Sequence, residues 1–356
     1  MKRLLAMQKQ LLPDLLDVMK KRYDLLRHIQ LLQPIGRRSL AVSVNMTERV
    51  LRGEVDFLKR QGLIVTQSVG MSLTDEGRQL VDEMELLMKE LFGLGELEQE
   101  LAVKFGLSEV VIVPGNADQS LAAKKALGRA GANVLLNKAR PGDVIAVNGG
   151  TTVAAVAEML TDSPVLKETI FVPSRGGLGE AVELQANYLA SLMAKKTGAS
   201  YRLMHVPDQM SEEVYRSLMN EPNILDVLKV IRRARIVLHG IGDALAMATR
   251  RNAPASLIAK LREKKAVGEA FGYYFNRRGE IVHRMQTVGL RLEDVHQAEI
   301  VIAVAGGASK GEAIASVCRG GSRDILVTDE AAAQSMIHLL AKKTEEDVYR
   351  GNENRD

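Results

Sequence analysis

Cysteine is almost absent from this chain of 356 residues, which carries only Cys318. One thiol makes no intrachain disulfide and no cysteine-based metal cluster, a composition that fits a reducing cytoplasm. Long apolar runs are missing too. No stretch reaches the roughly 18 apolar residues that would suggest a membrane span. The opening Met1-Lys2-Arg3-Leu4-Leu5 begins like a signal peptide, but Gln8, Lys9, Gln10, Pro13, Asp14 and Asp17 interrupt it. The sequence has no His-Glu-x-x-His, no Gly-x-Ser-x-Gly and no other useful metal-ligand spacing, so neither a metal nor a cofactor is expected. Nucleotide fingerprints are lacking as well. Gly149-Gly150-Thr151-Thr152 is without the Gly-Lys-Ser/Thr of a triphosphate loop, and Gly240-Ile241-Gly242-Asp243 has no third glycine for a dinucleotide.

What the chain does have is a local concentration of positive charge. Its formal net charge of +4 says little at this length. Between Lys20 and Arg60, however, ten Lys or Arg face four Asp or Glu. The same segment has the pattern of short amphipathic helices joined by a turn, the charge and shape of a DNA-reading module.

The length suits a small domain plus a core of roughly 200 to 250 residues. Residues 1–90 are helical in pattern and form the expected winged helix-turn-helix domain; 91–108 are the connector; 109–345 alternate short Val/Ile runs with helices, the grammar of a doubly wound, Rossmann-like α/β domain. Thr74 to Phe105 reads as one long helix or two in series, with Leu80, Met84, Leu87 and Leu91 on one apolar face and a bend at Gly93 and Gly95. The tail from Asn352 to Asp356 is expected to be disordered.

In the first domain a supporting helix is expected over Tyr23 to Leu32, stopped at Gln33-Pro34 because proline restricts the residue before it. A second helix follows over Gly36 to Val44 and a third over Thr47 to Gln61. Leu51, Val55 and Leu58 recur at four and three, which buries one side against Leu40, Ala41 and Val44. Thr47, Glu48, Arg49 and Arg52 are left on the open face, as in a recognition helix. Arg49 and Arg52 suit bidentate contacts to guanine, while Arg37, Arg38 and Lys59 suit phosphates. Thr47 can cap the helix, without a capping box because Val50 stands where Glu or Gln would. Leu63 to Gln67 and Val69 to Leu73 read as two strands around a turn, the wing.

The second domain starts with the strand Glu109 to Val113 and a helix near Ser120 to Ala139. After Val144-Ile145-Ala146-Val147, the loop Gly149, Gly150, Thr151, Thr152 opens a helix. Its glycines let the backbone approach an anion, its amides point at that anion, and its hydroxyls complete a phosphate cradle. Thr169 to Val172 leads into Pro173 to Gly179, which sets Arg175 at the carboxyl edge of the sheet, with a helix from about Ala181. Ile236 to Asp243 and Ile300 to Lys310 repeat the design. Four such loops can converge on one crevice, where Arg250 and Lys310 add a fork and a point charge for phosphate.

Asp243, Glu269, His205, His239 and His283 are available as acids or bases, but their spacing is not diagnostic of catalysis. His239, isolated beside a strand, reads as a hydrogen-bonded structural residue.

The Arg37-Arg38-Ser39-Leu40-Ala41 and Thr47-Glu48-Arg49-Val50-Leu51-Arg52 helices, taken with the Gly149 to Thr152, Ser174-Arg175-Gly176-Gly177 and Gly306-Gly307 loops, resemble the bacterial SorC-type transcriptional regulators over residues 15 to 340. The resemblance implies a winged helix-turn-helix joined to an effector domain whose fold is like that of glucosamine-6-phosphate deaminase and ribose-5-phosphate isomerase. It further implies a phosphorylated sugar as effector, fructose 1,6-bisphosphate in the glycolytic branch. Carried over residue by residue, it assigns phosphate contacts to Gly149 to Thr152, Ser174, Arg175 and Lys310, a second phosphate to Arg250, and sugar hydroxyls to Glu269. The expected protein is a cytoplasmic, homo-oligomeric repressor of a glycolytic operon that binds double-stranded operator DNA and has no enzymatic turnover. Two other readings stay open at this point: a sugar-phosphate isomerase or deaminase with an accessory nucleic-acid module, and an architectural DNA-binding protein whose large domain only oligomerises.

Overall fold

The computed structural model describes residues 11–177, 181–207, 211–320 and 324–340. The N-terminal opening, the loop residues Leu178 and Gly179, and the tail from Asn352 to Asp356 lie outside them. The chain separates into two compact units, the first reaching Leu97 and the second formed by most of the remaining residues. No helix among the described residues is long and apolar enough to cross a membrane.

The first unit opens with a helix over Pro13–Leu32, ten residues longer than the sequence suggests. Proline suits the first helical position because its missing amide has no intrahelical partner there. The charged run Lys20-Lys21-Arg22 hides this helix from a hydrophobicity scan, yet Leu16, Tyr23, Leu26 and Ile29 are buried along it. Helices Arg37–Ser43 and Glu48–Arg60 come next. As the spacing requires, Leu51, Val55 and Leu58 are buried, and they join Leu40, Ala41, Leu25 and Ile29 in one core. Each buried Leu, Ile or Val among them contributes about 1.5–3 kcal/mol.

Strands β1 (Ile64–Gln67) and β2 (Gly70–Leu73) pair antiparallel with Ile64 opposite Leu73. Ile35 adds a third segment, its amide donating to Met71 O at 3.1 Å and its carbonyl accepting from Met71 N at 2.8 Å. Thr74 then caps the helix Asp75–Leu91 by accepting from Gly77 N at 3.0 Å. A second helix, Leu94–Phe105, begins after Gly93, whose φ of 72° breaks the run. The buried line on Asp75–Leu91 is Gly77, Val81, Met88 and Leu91. Of the expected stripe, Leu80, Met84 and Leu87 are therefore only half-buried, flanking this line, because the face that packs is rotated from the one that hydropathy marks.

The second unit is built on a parallel sheet of β3 (Glu109–Val113), β4 (Val144–Val147), β5 (Ile170–Pro173), β6 (Ser200–Tyr201), β7 (Ile236–His239), β12 (Ile300–Val304) and β13 (Ile325–Asp329). Their order across the sheet is β3-β13-β12-β7-β4-β5-β6. Helices link them, among them Leu121–Lys138, Thr151–Met159 and Gly311–Gly320. Parallel strands are covered on both faces and so read as continuous aliphatic runs. Ile145, Val147, Phe171, Ile236, Leu238, Ile302 and Val304 accordingly share one core. The chain runs outward from β4 to β5 and β6, then returns to the other side of β4 at β7. The carboxyl ends of β4 and β7 thus flank the point where the winding reverses, the place where open α/β sheets form a crevice.

Between β7 and β12 lies an antiparallel sheet that sequence reading does not anticipate. It comprises β8 (Gly242–Asp243), β9 (Ala266–Ala270), β10 (Tyr273–Asn276) and β11 (Ile281–Arg284). These pair in the order β11-β10-β9-β8. The helix expected from Ala181 is instead a single 3-10 turn, Val182–Leu184, and then a helix over Ala186–Thr197.

Candidate functional site

Two sets of side chains stand out, one in each unit. In the winged unit Thr47, Glu48, Arg49, Arg52 and Lys59 are exposed, as is Arg38, while Arg37 is half-buried with an enclosed Nε. Thr47 caps the Glu48–Arg60 helix by accepting from Val50 N at 3.4 Å. Arg38 and Glu48 approach within 3.5 Å across the turn, both exposed, so the pair holds little energy. The opposite side of the helix is anchored. Glu54 accepts from Lys21 Nζ at 2.5 Å and Arg22 Nε at 2.9 Å, and the Arg22 guanidinium lies 3.6 Å from the Phe57 ring centre. Burial pushes the Glu54 carboxyl up, but the bonds from Lys21 and Arg22 outweigh it and hold the group below its ordinary range. The helix is therefore braced from behind while its first turns stay open.

In the second unit the glycine loops do converge. They enclose an open cleft of about 770 Å³, counted to include the solvent at its mouth. Gly149, Gly150, Thr151, Thr152, Arg175, Arg250, Glu269 and Lys310 all line it. Gly150 caps the Thr151–Met159 helix with φ 118°, a conformation that side chains avoid. A Cβ at Gly149 would sit 2.5 Å from Leu184 O, so only glycine admits that crossing. The first amides of this helix have no intrahelical acceptor and carry the positive end of the helix dipole, which suits an anion.

Ser174 is the exception among the expected contacts. It is fully buried and does not line the cleft. Its hydroxyl donates to Asn148 Oδ1, and Asn148 is the one that faces the cleft. Ser174 thus acts from behind, because the strand β5 turns its side chain under the loop that precedes Thr151.

Lys310 sits at the end of a 3-10 turn, Ala308–Lys310. Carboxylates hold that turn: Asp118 accepts from Ser309 N at 2.9 Å, and Asp329 accepts from Gly307 N at 2.7 Å. Burial pulls the Lys310 ammonium down, and Asp118 opposes the shift. Glu269 lies deep in the wall, 4% exposed, between two arginines that are themselves enclosed. Arg251 Nη2 donates to Glu269 Oε1 at 2.9 Å, and Arg175 Nη1 stands 3.5 Å from the same oxygen. Arg250, by contrast, is exposed at the rim.

Of the five acid or base candidates, only Glu269 reaches the cleft. Asp243 caps a helix by accepting from Ala246 N at 2.8 Å. His239 is buried, with Nδ1 3.1 Å from Gly240 O and its ring 4.5 Å from Phe271. Toward a carbonyl, Nδ1 must be the donor, which leaves Nε2 as a buried acceptor with no partner among the described residues. Burial lowers its pKa to about 4, against the Gly240 bond and the Glu269 charge, so the ring is neutral at pH 7. His205 is exposed and His283 half-buried, and neither lines the cleft.

Arg251, Gln185, Met247 and Phe271 also line the cleft and have no counterpart in the sequence reading. Phe271 lies in the turn between β9 and β10, and Arg251 bonds to Glu269 on β9 and Tyr274 on β10, short mixed strands with no aliphatic run to mark them. Arg251 directly follows Arg250, and only the end of the helix at Arg250 sends one inward and the other out.

Comparison with known proteins agrees with this arrangement. Residues 18–88 match the family described as "CggR N-terminal DNA binding domain", and residues 89–338 match the family described as "Putative sugar-binding domain". The central glycolytic genes regulator of Priestia megaterium (strain DSM 319 / IMG 1521) is 51% identical over 338 residues, covering 95% of this chain and 99% of that protein. The protein of the same name from Bacillus subtilis (strain 168) is 47% identical over 337 residues, covering 95% and 99%. Among solved structures, "the putative SorC family transcriptional regulator from Enterococcus faecalis" superposes with a TM-score of 0.65 at 40% identity, over 68% of this chain and 99% of that one. The full-length sorbitol operon regulator SorC from Klebsiella pneumoniae gives 0.62 at 20% identity over 85% and 94%, a likeness of fold. A DNA-binding unit is thus joined to a sugar-binding one in a transcriptional regulator rather than an enzyme, and the chain belongs to the SorC family of bacterial regulators.

Proposed function

We propose that this regulator represses a glycolytic gene operon and releases its operator when a phosphorylated sugar, foremost fructose 1,6-bisphosphate, enters the cleft. The observation that carries the reading is the gathering of the Thr151–Met159 helix start with Arg175, Arg250 and Lys310 in one cleft. Helix-start amides and cations that share one cleft with a carboxylate suit a ligand with more than one anionic group and with hydroxyls between them. The names of the two glycolytic regulators supply the glycolytic setting. On this reading Arg49 and Arg52 read base edges, while Arg37, Arg38 and Lys59 hold phosphates. Thr47 and Glu48 stand at the start of the same helix.

A single winged unit reads a short half-site, so the operator-bound form is a symmetric dimer or tetramer. The sugar phosphate lowers DNA affinity only if it binds the low-affinity arrangement more tightly, since equal affinity would shift nothing. Residues 91–108 link the two units and carry the change. Operator DNA and phosphorylated sugars meet in the cytoplasm, which is where the protein acts. The test is operator binding to a fragment of the protein's own promoter, titrated with fructose 1,6-bisphosphate at fixed salt because phosphate contacts depend on ionic strength. A complex weakened or rearranged by the sugar is expected, and an operator complex indifferent to saturating sugar would sink the reading.

A further inference from the structure

We propose that Arg251 is a positioning residue that turns Glu269 into a selector for a ligand hydroxyl, so that the cleft discriminates by hydroxyls as well as by anions. This rests on the sugar-phosphate reading of the same cleft. Arg251 is the residue that ends the Ala244–Arg250 helix, and its side chain is 3% exposed. Its guanidinium forks. Nη2 donates to Glu269 Oε1 at 2.9 Å, and Nη1 reaches the Tyr274 hydroxyl at 3.2 Å and Met285 Sδ at 3.7 Å. Tyr274 is fully buried on β10, directly opposite Glu269 on β9, and its hydroxyl lies 3.4 Å from Met285 Sδ. The fork therefore ties the carboxylate to the neighbouring strand.

One oxygen of Glu269 takes the whole load. Oε1 also accepts from Gly272 N at 2.6 Å and faces Arg175 Nη1 at 3.5 Å. The other oxygen, Oε2, lies on the side of Gly242, where an added Cβ would approach it to 3.8 Å, and Gly242 lines the cleft. A buried carboxylate bare of cations would repel a phosphate. Here two enclosed guanidiniums offset its charge, and what is presented to the ligand is an acceptor with no proton to give. Such an atom takes a hydroxyl donor and is left unsatisfied by a methylene or a further anion. Arg250 and Lys310 meet the anionic ends of the ligand; Arg251 decides what stands between them.

The experiment is calorimetric binding by the full chain of two compounds: fructose 1,6-bisphosphate, and hexane-1,6-diol bisphosphate, which keeps two phosphates but has no free hydroxyl. The wild-type chain is expected to prefer the sugar by about 100-fold. Arg251→Met is expected to cut that preference to within about 3-fold, with a larger loss for the sugar than for the diol compound, which loses only what the less offset carboxylate repels. Arg251→Lys keeps the buried charge without the fork and is expected to fold and show an intermediate preference of about 10-fold. Should Arg251→Met fail to fold, the lysine variant is read alone. A lysine variant with undiminished preference, a methionine variant that loses both compounds in proportion, or a wild-type chain that does not distinguish them overturns the role of Arg251 alone. A wild-type chain that binds neither overturns the sugar-phosphate reading and this inference with it.

Discussion

The two units use arginine in opposite ways. Arg49 and Arg52 stand exposed on the first turns of their helix, and no partner holds them there among the described residues. Arg175 and Arg251 are 5% and 8% exposed and share one carboxylate. Operator DNA brings a long row of phosphates and its own geometry, which exposed cations on a braced helix can meet as they displace counterions. A small ligand offers few contacts. Its site must exist before it arrives, because ordering long side chains at the moment of binding costs about 0.5–1.5 kcal/mol each. On the proposed reading the same residue type serves a surface that forms on contact and a cleft that is built in advance.

Substitutions can break this contrast. The largest effect is expected at Arg175→Ala, which should weaken the sugar-phosphate response about 100-fold, roughly 3 kcal/mol, because a buried charge-assisted partner is lost. Operator binding without sugar should stay near wild type, as a mobility-shift titration would show. Arg52→Ala should do the reverse. Specific operator affinity should fall by about 1–3 kcal/mol while calorimetry finds the sugar affinity intact. If either variant damages both activities, the division of labour between the units is wrong.

Acid should act on the two units through different groups as well. His239 has its folded pKa depressed to about 4 from an ordinary 6.5, so below 6.5 the unfolded chain takes up a proton that the folded one refuses. Stability from this group is complete above pH 6.5 and is lost progressively as the pH falls toward 4, by up to about 3 kcal/mol. Glu54 is depressed from an ordinary 4.5, so its contribution is present above that value and is lost only as the pH falls further, through its lowered pKa. Asp324, in the same unit as His239, is pushed the other way, up to about 7 by burial, and so adds stability as the pH falls; the His239 loss is therefore read as the difference in melting between the wild-type chain and His239→Asn at pH 7, 5 and 4. His239→Asn keeps a donor for Gly240 O and should flatten that loss; an unchanged slope would remove His239 as its cause. The smallest effect is expected at Lys59→Ala, which should lower the slope of log affinity against log salt by about 1 and leave sequence preference alone. A shift in preference would move Lys59 from phosphate holding to base reading.

How much of this is legible in the sequence depends on the kind of element. Leu51, Val55 and Leu58 announce a helix face because a period of 3.6 is written in three residues, and Val144 to Val147 announces a buried strand because both its faces need aliphatic side chains. Lys20 to Arg22 conceals the early turns of the first helix, since charges on its outer face break the apolar pattern. β8 to β11 are hidden for a different reason. Strands of two to five residues with Gly, Glu, Tyr, His and Arg lack both alternation and an aliphatic run, and their pairing is long-range.

The cleft divides along the same line. Gly149 to Thr152, Arg175, Arg250 and Lys310 are visible as residues whose chemistry suits phosphate at strand ends, and β4 and β7 bring their loops together where the sheet reverses. Local sequence determined the winged helices, the parallel strands and the residue types whose chemistry suits phosphate, because each is specified by neighbours a few positions apart. Only the tertiary structure decided that Ser174 lies beneath the cleft, that Arg251 turns inward beside an outward Arg250, and that Glu269 meets two guanidiniums at once. Those outcomes depend on side chains from different strands and helices reaching one point, and no local pattern encodes the distance between them.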